Sequence, residues 1–339
     1  MKNVLYFLLT IIVLSALSCK KTKQPIKEEP IKRDVYISGY EYLQTSFNTA
    51  IHRAVYYKNG EKKYLGGENE YTEAAGITVN ANDVYIAGLI MDGGKKSIVY
   101  WKNGIKNIVI EEQVAFVKVH DLKVVGNDMY ILGKRNLTPC YWKNGKMIEF
   151  ANGNLTAVGT RIFVENNNVY VMGHCRIGGK EQASYWKNGV LTTLSDGTSI
   201  GQVTSLKIIG NDTYITMVDG ENAYYIKNDK KNHLGKGIAN DINVSDNDIF
   251  ISGSVLLPNG GSVAAYWKNG NQIILDGKLA AITKSIVIDG NIFSIGYENH
   301  PDYYNGNNST IDFNYWYNEK STLLRNGIFQ EELNDIFVK

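Results

Sequence analysis

The chain has 339 residues, 44% of them hydrophobic and 21% charged, with a formal net charge of +2. A balance so near zero excludes the basic footprint that nucleic-acid binding requires. Thirty-three glycines and 23 tyrosines against only five prolines point to strands joined by tight turns. Three cysteines, Cys19, Cys140 and Cys175, are too few and too far apart for a metal site or a disulfide framework. Cys140 and Cys175 are read as small buried apolar side chains, with a bond between them as the alternative.

Met1-Lys2-Asn3 carries one positive charge, and Val4 to Ser18 is apolar apart from Thr10, Ser15 and Ser18. That run is short of the roughly 20 residues needed to span a bilayer and suits a signal peptide. Its end, Leu14-Ser15-Ala16-Leu17-Ser18-Cys19, resembles a bacterial lipobox, although the usual Leu three places before the Cys is Ala16. The resemblance implies residues 1–18 as a signal peptide and a lipid on Cys19. Residues 19–33 then form a charged, proline-containing tether. The protein is accordingly expected in the bacterial cell envelope, at the outer membrane, anchored on the periplasmic or cell-surface side.

From residue 34 onward the sequence repeats. DVYISG at 34 recurs as DVYIAG at 83, DMYILG at 128, NVYVMG at 168, DTYITM at 212, DIFISG at 248 and NIFSIG at 291. The spacing is about 43 residues. A second segment follows each copy: VYYKNG at 55, VYWKNG at 99, CYWKNG at 140, SYWKNG at 184, YYIKND at 224, AYWKNG at 265 and NYWYNE at 314. Asn-Gly between alternating apolar runs signals a two-residue hairpin. A third segment precedes each copy, such as AAGITV at 74 and DLKVVG at 121. Each repeat therefore supplies four short antiparallel strands, a to d. Four strands per 40–50 residues resemble a propeller blade.

The first repeat starts at strand b, and the missing strand a is found at the other end of the chain, in Asn334-Asp335-Ile336-Phe337-Val338. The predicted fold is an all-β, seven-bladed β-propeller over residues 34–339, its four-stranded antiparallel blades closed by the C-terminal strand on the N-terminal blade. The repeats also resemble the HAF-type repeats of bacterial extracellular proteins. Tyr56-Tyr57-Lys58-Asn59-Gly60, Leu65-Gly66-Gly67 and Ala75-Gly76-Ile77 through Gly88 carry that likeness, which implies a propeller and no reaction.

No motif for catalysis or metal binding stands out. The five histidines are scattered, and Ser195-Asp196-Gly197-Thr198 only echoes a sialidase box. No cofactor is expected. The Asn and Asp of the a–b links, such as Asn127-Asp128, suit turns, with calcium as the alternative. The aromatic residues of strands b and c are read as packing between blades.

The longest b–c loops are expected in repeat 1, residues 40–53, and repeat 7, residues 297–312. Closure makes these repeats neighbours. Tyr40, Glu41, Tyr42, Tyr297, His300, Asp302, Tyr303 and Tyr304 are therefore the candidate binding patch, where tyrosine rings would stack on a sugar or dock a protein. The function read from these features is a monomeric binding or scaffold module with a protein or glycan partner. The alternative is an envelope enzyme acting on glycans, with Glu41, Glu298 or Asp302 as its acids.

Overall fold

A computed structural model describes residues 33–46, 49–112, 116–151, 156–299, 311–324 and 331–339. The signal peptide, Cys19 and the tether up to residue 32 lie outside the described residues, as do His300, Asp302, Tyr303 and Tyr304. Residues Asp34–Lys339 form one unit, and its secondary structure is entirely β among the described residues.

The first sheet holds β1 (Val35–Ser46), β2 (Thr49–Lys58) and β3 (Glu61–Tyr64). The second runs through β4 (Tyr71–Asn80), β5 (Asp83–Asp92), β6 (Lys95–Lys102) and β7 (Ile105–Glu112). The third comprises β8 (Val117–Val125), β9 (Asp128–Arg135), β10 (Thr138–Lys143) and β11 (Lys146–Glu149). The fourth comprises β12 (Thr156–Glu165), β13 (Asn168–Ile177), β14 (Lys180–Lys187) and β15 (Val190–Thr193).

Ten strands then share one hydrogen-bonded sheet. They are β16 (Gly201–Ile209), β17 (Asp212–Asp219), β18 (Asn222–Lys227), β19 (Lys230–Ser245), β20 (Asp248–Leu256), β21 (Ser262–Lys268), β22 (Asn271–Ile288), β23 (Asn291–Asn299), β24 (Ile311–Tyr317) and β25 (Lys320–Leu323). Counted by hydrogen bonding there are five sheets, where the repeats predict seven separate units. The difference lies in β19 and β22. Each runs on unbroken, pairing with the strand before it along one half and with the strand after it along the other.

The C-terminal strand β26 (Glu331–Val338) pairs antiparallel with β1, Ile336 facing Ile37 and Val338 facing Val35. Backbone hydrogen bonds between Asp34 and Lys339 seal the joint in both directions. The first strands of successive units touch in turn, β26 to β4, β4 to β8 and onward to β22, which returns to β26. They form the inner wall of a ring.

The repeated sequence words each do a definable job. In six of the seven c–d hairpins Asn and the following residue take positive φ, as at Asn103 (51°) and Gly104 (83°), the type I′ turn that the strand twist favours. The same Asn ties the turn to strand b. Asn103 Oδ1 accepts from the Val84 N–H at 2.9 Å, and its Nδ2 donates to Asp83 at 2.7 Å. Lys102 completes the pin, 2.7 Å from Asp83 and over the Tyr85 ring. The pattern recurs at Asp34, Asp128, Asp212 and Asp248. The link aspartates therefore serve as acceptors for a Lys–Asn pair, while the turn itself is made by neighbours such as Gly126 and Asn247.

The c-strand tryptophans Trp101, Trp142, Trp186, Trp267 and Trp316 are all buried in the core. Cys140 and Cys175 are buried in separate hydrophobic clusters and are not bonded to each other.

Candidate functional site

Every inner strand carries a β-bulge at the same place. The extra residue is Asn334 in β26, Ala75 in β4, His120 in β8, Thr160 in β12, Thr204 in β16, Asn240 in β19 and Thr283 in β22. The glycine ending most b-strand words makes room for it. A Cβ on Gly173 would come within 1.8 Å of the Val158 carbonyl oxygen, and one on Gly88 within 1.9 Å of the Glu73 oxygen. The bulge thus requires glycine opposite it in these units.

The bulges put the inner strands in register, and two levels of side chains follow. One residue past the bulge stand Asp335, Asp121, Arg161, Ser205, Asp241 and Lys284, with Gly76 in β4. These side chains bridge the ring. Lys284 Nζ lies 2.6 Å from Asp335 and 3.5 Å from Asp121. Arg161 lies 3.1 Å from Asp241 and donates across to the Thr283 carbonyl at 2.7 Å. Each aspartate also accepts a backbone N–H from a neighbouring unit: Asp335 from Ile77, Asp121 from Ile162, Asp241 from Ser285. Burial alone would push the Asp241 carboxyl up, but Arg161 and Lys207 override it and hold it at about 2.

Two residues before the bulge lies the rim: Glu332, Glu73, Lys118, Val158, Gln202, Ile238 and Ala281. Charge is confined to β26, β4 and β8. There a cleft of about 430 Å³ opens, lined among others by Tyr40, Tyr71, Glu73, Lys118, His120 and Glu332.

Its walls are a hydrogen-bonded aromatic cluster. Tyr40 donates to Glu332 at 2.5 Å, and Tyr42 reaches the same oxygen at 3.3 Å. Tyr71 donates to Glu73 at 2.6 Å, and His52 Nδ1 lies 2.6 Å from that same carboxylate oxygen. The His52 ring is stacked between Tyr40 at 4.9 Å and Tyr71 at 4.6 Å. Burial raises the Glu73 carboxyl, but the bonds from His52 and Tyr71 prevail and leave it below its usual range. Burial and the nearby carboxylates push the hydroxyls of Tyr40 and Tyr71 up, so they act as donors.

The predicted patch is divided by this arrangement. Tyr40, Glu41 and Tyr42 lie in β1, not in a loop, opposite Ala54, Arg53 and His52 of β2. Tyr40 and Tyr42 belong to the cluster beside the cleft. Glu41 is buried on the other side of the strand, between Lys62 at 2.5 Å and Arg53 at 4.0 Å. Tyr297 lies in β23 and packs on the core cluster of Ile37, Val55 and Phe293. Glu298 is buried in the same strand. Sequence reasoning missed Glu73, Glu332 and Lys118, whose common register emerges only once the bulges are aligned, and with them His52 of β2 and His120, the bulge residue of β8.

No protein-family model matches the chain, and no curated protein matches it in sequence. Its fold does match solved structures. The β-propeller domain of the Trilobed protease from Pyrococcus furiosus aligns over 86% of this chain and 94% of its own, with a TM-score of 0.55 at 9% identity. This chain is a β-propeller. A second match is the acylaminoacyl peptidase of Pyrococcus horikoshii, with a TM-score of 0.52, 11% identity and 86% of this chain covered. This chain spans 50% of that peptidase. The P. furiosus domain is described as having an open velcro topology, whereas in this propeller β26 is zipped along β1.

His120 offers a local check on the site. Burial, helped by Lys118, pulls its imidazole down to about 4. It is therefore neutral on the cleft wall at pH 6. An NMR titration of its ring should be flat from pH 8 to 5 and turn at about 4. Its folded value lies below the usual 6.5, so its protonation destabilises the fold as the pH falls below that value. A ring midpoint near 6.5 would contradict the packing described.

Proposed function

We propose that this protein is a seven-bladed, membrane-anchored binding propeller of the bacterial cell envelope, which takes a protein or glycan partner at the rim cleft. The blade number rests on β19 and β22. Because each changes partner at mid-length, the ten-stranded sheet reads as three four-stranded blades in series, which with the four separate sheets make seven. The anchor rests on the lipobox-like Cys19.

The observation that carries the binding role is the cleft itself. It combines two carboxylates fixed by tyrosine hydroxyls with Lys96 and Lys118 and the exposed ring of Phe116. Fixed acceptors, cations and an apolar face in one concavity suit recognition of a polar chain. Binding is favoured over catalysis by the state of the tyrosines. Their hydroxyls donate to Glu332 and Glu73 and resist ionisation, which withholds them as bases. The rings of Tyr40 and Tyr71 already stack on His52, so partner contacts are expected through polar groups more than through ring faces.

The test immobilises the mature chain and exposes it to a glycan array and to solubilised envelope extract, then repeats both with Glu332→Gln and Lys118→Ala. The retained component should bind at least tenfold more weakly to both variants. Equal retention would place recognition elsewhere, and breakdown of a retained glycan would favour the enzyme reading. Palmitate labelling that Cys19→Ser abolishes would support the anchor, and labelling that survives it would remove the anchor.

A further inference from the structure

The outer edge of the ring is guarded unevenly. The last strands β3, β11, β15 and β25 are four residues each, and each shows at most one exposed large apolar side chain. Short edge strands of this kind discourage pairing with other chains. β7 departs from them. It is eight residues long, and it exposes Ile105 at 72% and Ile108 at 58%. It ends the order β4-β5-β6-β7, so among the described residues no strand pairs with its outer side.

The register tells which backbone groups that side offers. Lys102 and Ile105 flank the Asn103-Gly104 turn and so bond each other. Alternation then turns the N–H and C=O groups of Lys106 and Ile108 outward. Beside them opens a groove of about 680 Å³, with Tyr100 of β6, Ile108 and Val109 of β7 and Val124 of β8 in its walls.

We propose that β7 pairs antiparallel with β7 of a second copy of this chain, making a two-fold dimer in place of the monomer expected from the sequence. The charge pattern of the strand selects this occupant. Lys106 stands in its first half and Glu111 in its second. Antiparallel pairing sets each Lys106 toward the partner's Glu111. A foreign strand would have to carry the same two charges in matching places, whereas a second copy has them by symmetry. Lys106 lies 2.8 Å from Glu70, and Glu111 lies 3.7 Å from Lys95. Such solvent-accessible pairs are worth little and do not hold the two charges back. Pairing would satisfy the outward backbone groups, cover Ile108 and join two blades into one eight-stranded sheet. This contact lies on the outer edge, away from the rim cleft of the inner strands, and stands or falls separately from it.

Sedimentation equilibrium of the mature chain in reducing buffer should give a mass that rises with concentration toward twice that of one copy. Ile108→Lys puts a charge into the seam. It should weaken the dimer at least tenfold and leave the melting temperature of the monomer unchanged. Lys106→Glu and Glu111→Lys should each weaken the dimer, and the two together should restore it, because the exchange keeps the copies complementary. A chain that stays monomeric up to about 0.1 mM, or a dimer indifferent to Ile108→Lys, overturns the proposal. So does a double variant that associates no more tightly than the single ones.

Discussion

Replacing Lys284 with methionine should cost about 3–5 kcal/mol of folding stability, the usual price of removing one partner from a buried ion pair. On a chain of this size the melting point should fall on the order of 10 °C. The size of the effect follows from what Lys284 holds. Its ammonium lies between Asp335 of β26 and Asp121 of β8, and among the described residues both carboxylates otherwise accept hydrogen bonds from backbone N–H groups. Methionine fills the space but takes from both buried carboxylates the ammonium that they share. The exposed pair Lys95–Glu111, at 3.7 Å, is the control. Lys95→Met should change stability by less than about 1 kcal/mol.

The same network sets the acid limit of the fold. Because Asp241 is held at about 2 in the folded chain, below the roughly 3.9 of an unfolded one, its contribution is present above about pH 4. It is lost as the pH falls toward 2. A pH–stability curve should therefore be level near neutrality with respect to this group and fall below about pH 4. A Lys284→Met melt indistinguishable from the parent would show that the bore charges are solvated rather than paired.

Much of this fold is written in the sequence because its signals are local. Asn-Gly needs only its own backbone to turn, and the recurring Tyr and Trp mark the strands that must be buried. The N-terminal Asp34 and the C-terminal Ile336 could be matched because the same word recurs six more times. What was hard to read is non-local. Asp34, Asp83 and Asp128 look like turn residues, and their bonds to Asn and Lys of the c strand are visible only when strands b and c are side by side. The inner bulge has a trace in the sequence, the glycine of ISG, IAG and ILG. Its meaning depends on a carbonyl from the neighbouring strand that occupies the space of a Cβ.

The stretch from Tyr40 to Arg53 reads as a loop because it lacks apolar alternation. Its described residues, 40–46 and 49–53, belong to the paired strands β1 and β2, where Tyr40 and Tyr42 with His52 build a polar aromatic cluster instead of a core. A strand that serves a cleft loses the period that announces a strand. The continuity of β19 and β22 was likewise hidden, since strands d and a of adjoining repeats carry separate words.

Deleting residues 331–339 should abolish cooperative folding. The deleted strand buries Leu333, Ile336 and Val338, and at 1.5–3 kcal/mol for each side chain the loss is roughly 5–9 kcal/mol. That is comparable with the whole stability of a typical domain, about 5–15 kcal/mol. The deletion also takes Asp335 from Lys284 and from the Ile77 N–H, and it leaves β1 as an open edge able to pair with another chain. The truncated chain should therefore show no sharp thermal transition by circular dichroism, and it should aggregate. A synthetic peptide spanning 331–339 added in trans should restore a transition, because it returns the strand that pairs with β1. A circular permutant joining Lys339 to Asp34 by a short linker, with new ends at another turn, should melt close to the parent, since those two residues already exchange backbone hydrogen bonds. If the truncated chain instead melts like the intact one, closure by the C-terminal strand is not what holds the ring together.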